Sequence, residues 1–284
     1  MSPSVRDARL AQLLVVVGAV VAAILALIVG FLVREAWPLI ARYGFTPFFV
    51  DNGWHPTEGL FGLSPMLSAS ILLACGAVLF ATPLGIASAL FCRFYAPPAI
   101  GRIYRWMVML LAGIPSVVLG LWGLTVIVPL IGWWQPPGAN LLAGALVLAL
   151  MILPTVALTT EAALAAVPQS YLSGAAALGL SREATIVSVI LPATRGSIIA
   201  GILLAAARAL GETMAVLMVS GNVVQVPTSL FSSVRTLTAN IALEMAYATG
   251  DHRSALFVSG LLLTGLVLVL ATAASRFNKV GQRV

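Results

Sequence analysis

The chain has 284 residues, of which 61% are hydrophobic and only 8% are charged, and its formal net charge is +6. A soluble domain normally carries about 25% charged residues, so this chain has too few polar side chains to cover a water-soluble globule. The composition excludes a soluble enzyme or binding domain and indicates an integral membrane protein whose surface contacts membrane lipid. Because the basic residues are spread over several loops, no nucleic acid is expected as a partner.

Six apolar segments are long enough to cross a bilayer, since a spanning helix needs about 20 mostly apolar residues. They are about 10–33, 66–92, 106–131, 139–160, 197–219 and 255–275. The first segment is too long for the apolar region of a signal peptide, so we interpret it as a retained helix. The sequence therefore predicts an all-α integral membrane protein with a helix and outer loop at 1–65, a transmembrane domain at 66–275 and a tail at 276–284.

The distribution of basic residues predicts the orientation, because cytoplasmic loops carry an excess of arginine and lysine. With six crossings, one side receives ten basic residues: Arg6, Arg9, Arg93, Arg102, Arg105, Arg182, Arg195, Arg276, Lys279 and Arg283. The other side receives four: Arg34, Arg42, Arg235 and Arg253. Both termini and the 161–196 loop are therefore predicted to be cytoplasmic.

The first outer loop, about 34–65, is rich in aromatic residues. Aromatic side chains favour the boundary between lipid headgroups and hydrocarbon, so the loop is interpreted as lying on the bilayer or as a docking surface for an outer partner. Three predicted spans contain a proline, namely Pro83, Pro115 and Pro154. Each is interpreted as a packing kink, with a broken backbone that lines a solute path as the alternative.

The cytoplasmic loop at 161–196 predicts a pair of short helices joined near residues 179–181. Leu178, Ile186, Val189 and Ile190 fit one face of this pair, and Ser181 is a candidate N-cap. A short amphipathic pair on this side of the membrane suits either an interfacial element or a contact for a cytoplasmic partner.

The same loop resembles the coupling loop of ABC-importer permeases in the spacing between its glycine and its Leu-Pro end. In that family the loop begins Glu-Ala-Ala; here the leading glutamate and one alanine are absent. The resemblance implies that the loop docks into a groove on an ATP-binding subunit and carries the motion of ATP binding into the membrane. The positions that it assigns to the coupling loop are Ser173, Gly174, Ala175, Gly179, Val189, Leu191 and Pro192.

Two charged residues, Arg208 and Glu212, lie within the fifth predicted span. Residues four apart share one helix face, so the two side chains are expected to pair. An isolated charge at the bilayer centre costs at least about 2.5 kcal/mol, so the pair either holds helices together or serves a function. Arginine suits a phosphate-like anion because its planar fork makes paired hydrogen bonds to oxyanions, and Glu212 can act as its counter-ion when solute is absent. Thr213 and Asn222 add polar groups nearby.

Residues 208–222 read Arg-Ala-Leu-Gly-Glu-Thr-Met-Ala-Val-Leu-Met-Val-Ser-Gly-Asn. This stretch resembles the PstC-type membrane subunits of phosphate ABC importers, and Met214 favours that type over the sister A-type. The resemblance implies a type I ABC-importer permease fold and the inward passage of inorganic phosphate along Arg208, Glu212, Thr213 and Asn222. The partners that it implies are an A-type sister permease in a heterodimer, two cytoplasmic ATP-binding subunits and an extracytoplasmic phosphate-binding protein.

Other classes of function remain as alternatives. A permease for sulfate or molybdate would share the fold and the coupling loop, whereas a passive anion channel would not need the loop. The sequence has no Gly-x-x-x-x-Gly-Lys-[Ser/Thr] motif, so ATP hydrolysis is expected on a separate subunit. An intramembrane enzyme is disfavoured because the two histidines, His55 and His252, are far apart and belong to no catalytic motif. No metal or cofactor site is expected.

Overall fold

The computed structural model describes residues 5–50 and 53–281, and side chains between residues 10 and 277 of those ranges. The side chains of Arg6, Arg9 and Lys279 therefore lie outside the described part, and so do Arg283 and the rest of the last three residues of the predicted tail. The long helices are α1 (Val5–Tyr43), α3 (Ser64–Leu90), α7 (Leu141–Ala165), α10 (Leu191–Gly211) and α13 (Gly250–Gly281). A chain so poor in polar residues satisfies its backbone groups within helices, the solution that a lipid surround favours.

The third predicted span differs most from the expectation. It consists of α4 (Pro98–Gly113), α5 (Ser116–Trp122), a π-helical turn at 123–127 and α6 (Val128–Gly132), and it bends by 95° between α4 and α5. The described residues thus contain five helices apolar and long enough to cross a membrane, or six if the bent pair is one span.

The three prolines behave differently from one another. Pro83 lies inside the continuous helix α3 and Pro154 inside the continuous helix α7, so neither proline ends its helix. At Pro115 the packing-kink interpretation is wrong, because Ile114 and Pro115 are both extended and the helix stops. A residue before proline avoids the helical backbone conformation, which accounts for the extended Ile114.

The shorter elements lie in the connections. They are α2 (Pro47–Val50), a hairpin of β1 (Trp54–His55) and β2 (Leu60–Phe61), α8 (Gln169–Ala177), α9 (Arg182–Thr185), α11 (Met214–Val219) and α12 (Leu237–Glu244). The strands pair antiparallel, with Trp54 opposite Phe61. Both aromatic rings are buried together with Phe48, so part of the aromatic outer loop packs on the protein instead of facing the bilayer boundary.

The core lies where α3 crosses α7, and small residues bring the two helices close together. A Cβ on Gly76 would lie 2.9 Å from the Cβ of Ala145, and one on Gly85 would lie 2.8 Å from the Cβ of Val156. Without a hydrophobic force between helices in lipid, close packing of this kind supplies much of the association energy.

The connections gather at two ends of the bundle. At one end, which we call the hairpin end, Arg42 pairs with Asp251 at 2.8 Å and Ser233 donates a hydrogen bond of 2.7 Å to the Ala139 carbonyl. At the other, the α8 end, Arg105 of α4 forms an ion pair with Glu161 of α7. The bent segment α4–α6 starts at the α8 end and finishes at the hairpin end, so it joins the two ends as a span does.

Candidate functional site

Arg208 lies in the last turn of α10 with its side chain exposed. Seven residues earlier on the same helix face, Gly201 packs so tightly on α7 that an added Cβ would lie 2.3 Å from Thr159 Oγ1. Leu204, one turn before Arg208, is 49% exposed, so the face opens between Gly201 and Arg208. Among the described residues the Arg208 guanidinium has no ion pair or hydrogen bond.

The predicted pairing of Arg208 with Glu212 is wrong. Helix α10 ends at Gly211, and Glu212 has an extended backbone (φ −72°, ψ 133°), so the two residues do not share a helix face. The Glu212 side chain turns forward and accepts a long hydrogen bond of 3.4 Å from the Ala215 backbone at the start of α11. The predicted continuous fifth span is therefore two helices with a break at residues 212–213.

Thr213 lies in this break, and its hydroxyl donates a weak hydrogen bond of 3.4 Å to the Gly211 carbonyl. Asn222 lies beyond the other end of α11, in a left-handed conformation with φ 56°. Its side-chain amide donates to the Leu217 carbonyl at 2.7 Å, whereas its buried Oδ1 has no hydrogen-bond partner within the described ranges. The structure thus brings Glu212 and Thr213 together near Arg208, and α11 separates them from Asn222.

A polar cluster at the hairpin end escaped the sequence reasoning. Buried Glu244 accepts hydrogen bonds from Trp54 Nε1 at 2.8 Å and Arg235 Nη1 at 2.7 Å, and its Oε2 lies 2.8 Å from His252 Nε2. Arg235 also donates to Asn240 Oδ1 at 3.1 Å. Trp54 and Glu244 are 190 residues apart in sequence, so local spacing gives no signal for the cluster.

The 161–196 loop folds as the predicted helix pair. Helix α8 ends at Ala177, Gly179 takes a left-handed conformation with φ 70°, and the Ser181 hydroxyl caps α9 by accepting from the Ala184 backbone at 3.2 Å. Glycine tolerates this conformation without the penalty that a Cβ would bring. The predicted N-cap at Ser181 is confirmed.

The apolar face of that loop is only partly as expected. Ile186 and Ile190 are buried against Ala89 and Leu164, in a π-helical turn that leads into α10. Leu178, predicted to share this face, instead projects with 80% of its surface exposed. The remaining assigned positions range from buried to exposed: Ala175 is buried, Val189 and Leu191 are half-buried, and Ser173, Gly174 and Pro192 are exposed.

Known proteins are similar to this chain in both sequence and fold. The model of the family described as binding-protein-dependent transport system inner membrane component matches residues 81–280. The phosphate transport system permease protein PstC of Mesorhizobium japonicum is 34% identical over 258 residues, which cover 84% of this chain and 77% of that protein. The probable ABC transporter permease protein YqgH of Bacillus subtilis is 39% identical over 222 residues, which cover 76% of this chain and 72% of that protein.

A solved structure supports the fold independently. A crystal form of the inward-facing MetNI methionine ABC transporter matches with a TM-score of 0.61 at 18% identity, over 81% of this chain and 99% of that one. This likeness establishes the type I ABC-importer permease fold that the sequence predicted. Because the family model covers most of the chain, the protein belongs to the family of inner membrane components of binding-protein-dependent transport systems.

Proposed function

We propose that this chain is the membrane-spanning permease subunit of an ATP-driven importer that carries inorganic phosphate inward across the cytoplasmic membrane. The observation that carries the proposal is the exposed Arg208, which directly follows an apolar stretch of α10 at residues 198–207. A charge that faces lipid at the centre of a bilayer costs at least about 2.5 kcal/mol, so the exposed face around Arg208 is better explained as part of a polar path or an interface.

The chemistry of this face suits an oxyanion. The Arg208 fork can make two parallel hydrogen bonds to phosphate and stays charged in any environment. Glu212 follows at the helix break, where its carboxylate accepts a hydrogen bond from the Ala215 backbone instead of pairing with Arg208. Thr213 supplies a hydroxyl at the same level, and Asn222 supplies an amide oxygen without a partner within the described ranges.

The partners follow from family membership and from the coupling loop. Permeases of this family work with ATP-binding subunits and a substrate-binding protein, and we infer here an A-type sister permease, two ATP-binding subunits and a phosphate-binding protein on the outer side. The α8 end, with the loop of assigned coupling residues, faces the cytoplasm in this proposal. Leu178, with 80% of its surface exposed, is the most exposed of the large apolar side chains described in this loop, so it suits a groove on an ATP-binding subunit.

The first test is phosphate uptake into vesicles that hold the complete transporter, with Arg208→Gln compared with wild type. Loss of charge-assisted hydrogen bonds to the anion should lower uptake about 10- to 100-fold. Arg208→Lys, which keeps the charge but not the fork, should fall between the two. Arg34→Gln, at an exposed arginine of α1, is the matched control and should leave uptake unchanged.

The outcomes separate the parts of the proposal. Unchanged uptake in Arg208→Gln, with normal assembly, would remove Arg208 from the path. Uptake of sulfate or molybdate but not phosphate would keep the permease and correct the solute. Phosphate uptake that proceeds without ATP would make the protein a channel.

The coupling loop has a separate test. Leu178→Asp places a charge where an apolar contact is proposed, so ATP-binding subunits should no longer co-purify with the permease. Leu178→Met keeps an apolar side chain of similar volume and should retain them. Full co-purification of Leu178→Asp would argue against Leu178 as a docking residue.

A further inference from the structure

Helix α11 is held at both ends by bonds from one neighbouring segment, residues 235–244. At its start, the Thr238 hydroxyl donates a hydrogen bond of 2.8 Å to the Glu212 carbonyl. Beyond its end, Arg235 Nε donates one of 3.0 Å to the Asn222 carbonyl. Both acceptors are backbone groups at breaks in the helix, so no bond within α11 replaces either contact. At the far end the Val234 backbone also bonds Ser220 and Asn222, and the Arg235 contact adds to this pairing.

The segment that supplies these bonds is itself fixed. The Thr236 hydroxyl caps the start of helix α12 by accepting a hydrogen bond of 3.2 Å from the Ala239 backbone. The Leu237 backbone donates one of 3.0 Å to Ser70 Oγ of α3. At the other end of α12, Glu244 holds Arg235 and is held in turn by Trp54 of the hairpin and His252 of α13. The segment is therefore tied to three other parts of the fold.

The contacts of Arg235 fix the orientation of its guanidinium as well as its position. The guanidinium of Arg235 donates to the Asn222 carbonyl through Nε and to Glu244 and Asn240 through Nη1, so its plane is fixed at two nitrogens. The Arg235 side chain is 20% exposed and that of Glu244 11%, so water competes little for either group. A lysine has a single ammonium on a flexible stem and cannot reproduce this two-point orientation.

We propose that Arg235, Glu244 and Thr238 are positioning residues that clamp α11 at its two ends and so set where Glu212 and Asn222 stand along the path. This inference rests on the proposed function, because the solute path along Glu212 and Asn222 is part of that proposal. None of the three needs to touch the solute, since each acts through backbone carbonyls of the break and the turn. The clamp also ties the path to the hairpin, through the bond between Trp54 and Glu244.

The test uses the complete transporter without its two native cysteines, Cys75 and Cys92, both of which are free. A single cysteine at Val223, which is 45% exposed beside Asn222, reports the position of the turn through its rate of reaction with a maleimide. A cysteine at Thr57, on the exposed connection of the hairpin, serves as the reference site. Each reporter is combined in turn with Thr238→Val, Arg235→Gln and Glu244→Gln.

Thr238→Val is the sharpest variant because it removes one hydroxyl while keeping the shape of the side chain, and Thr238→Ser restores the hydroxyl. Labelling of Val223→Cys should change about fivefold in the clamp variants, as expected for the population shift caused by one lost hydrogen bond. Labelling of Thr57→Cys should not change. Thr238→Ser should match the parent, and Arg235→Lys should resemble Arg235→Gln.

Uptake per assembled transporter is the second readout, since a purely structural role would lower the amount of complex and leave each complex active. We expect uptake per complex to fall in the clamp variants. Unchanged labelling of Val223→Cys in Thr238→Val and Arg235→Gln would overturn the clamp. Changed labelling with full uptake per complex would overturn its role in transport. If the parent carries no phosphate at all, the proposed function fails, whereas the labelling comparison still decides whether α11 is clamped.

Discussion

At the scale of single residues, two glycines with similar positive φ angles have different surroundings. Gly221 has φ 86°, and an added Cβ would lie 2.7 Å from both the Ala139 carbonyl and Ser233 Oγ. Gly59 has φ 76° but nothing within 4 Å of that position. Gly59→Ala should cost only about 1 kcal/mol of left-handed strain, whereas Gly221→Ala should cost about 1–3 kcal/mol more because it overpacks the contact.

Heating each variant in detergent and measuring the fraction that remains monodisperse at each temperature tests this difference. The midpoint of Gly221→Ala should lie several degrees below that of Gly59→Ala. Equal midpoints would mean that the turn at Gly221 moves aside at no cost.

The sequence identifies some residues of the candidate site and misses others for a physical reason. Arg208 is conspicuous because a charge in an apolar run is costly whatever the fold. Arg235 and Glu244 look like ordinary loop charges, and only the fold brings them to Trp54 and His252. The clamp of α11 depends on such long-range contacts, so spacing alone could not reveal it.

At the scale of elements, α5 approaches α11 through a glycine. A Cβ on Gly120 would lie 2.8 Å from the Ala215 Cα, whereas one on Gly113 of α4 would meet nothing within 4 Å. The same change to alanine at the two positions therefore separates packing from helix propensity. Gly120→Ala should push α11 away and lower phosphate uptake per assembled transporter, since α11 carries the turn with Asn222; Gly113→Ala should leave uptake unchanged.

Uptake and the amount of assembled complex are measured together for both variants. A loss of uptake per complex in Gly113→Ala as large as that in Gly120→Ala would contradict the packing explanation. It would point instead to flexibility at the end of α4.

Element prediction succeeded where hydrophobic length decides and failed where helices break. The predicted spans 66–92, 139–160 and 255–275 agree with α3, α7 and α13, with ends that differ by at most about six residues. The break at Glu212 could not be read from sequence, because its freed carbonyl is satisfied by Thr238, 26 residues away. Pro115 was visible, yet the sequence could not distinguish a kink from the 95° bend that follows it.

At the scale of the whole molecule, the exposed apolar surface defines what surrounds the protein. The most apolar part of α1 has no residue buried within the chain, and Leu13, Val20 and Leu27 are each more than half exposed. In water such a surface would drive aggregation, so lipid or a neighbouring subunit must cover it. The arrangement of the other helices then decides how often the chain crosses the bilayer.

The bent segment α4–α6 makes this count testable, because a re-entrant loop and a broken span place its ends differently. Since the segment joins the α8 end to the hairpin end, we predict six crossings, with the exposed residues Ala99 and Ser173 on one side and Gln135 on the other. In the full-length protein without native cysteines, Gln135→Cys should react with an impermeant maleimide on intact cells. Ala99→Cys and Ser173→Cys should react only after permeabilisation, because basic loops stay in the cytoplasm. Reaction of Ala99→Cys and Gln135→Cys from the same side would make the segment re-entrant and put the two chain termini on opposite sides of the membrane.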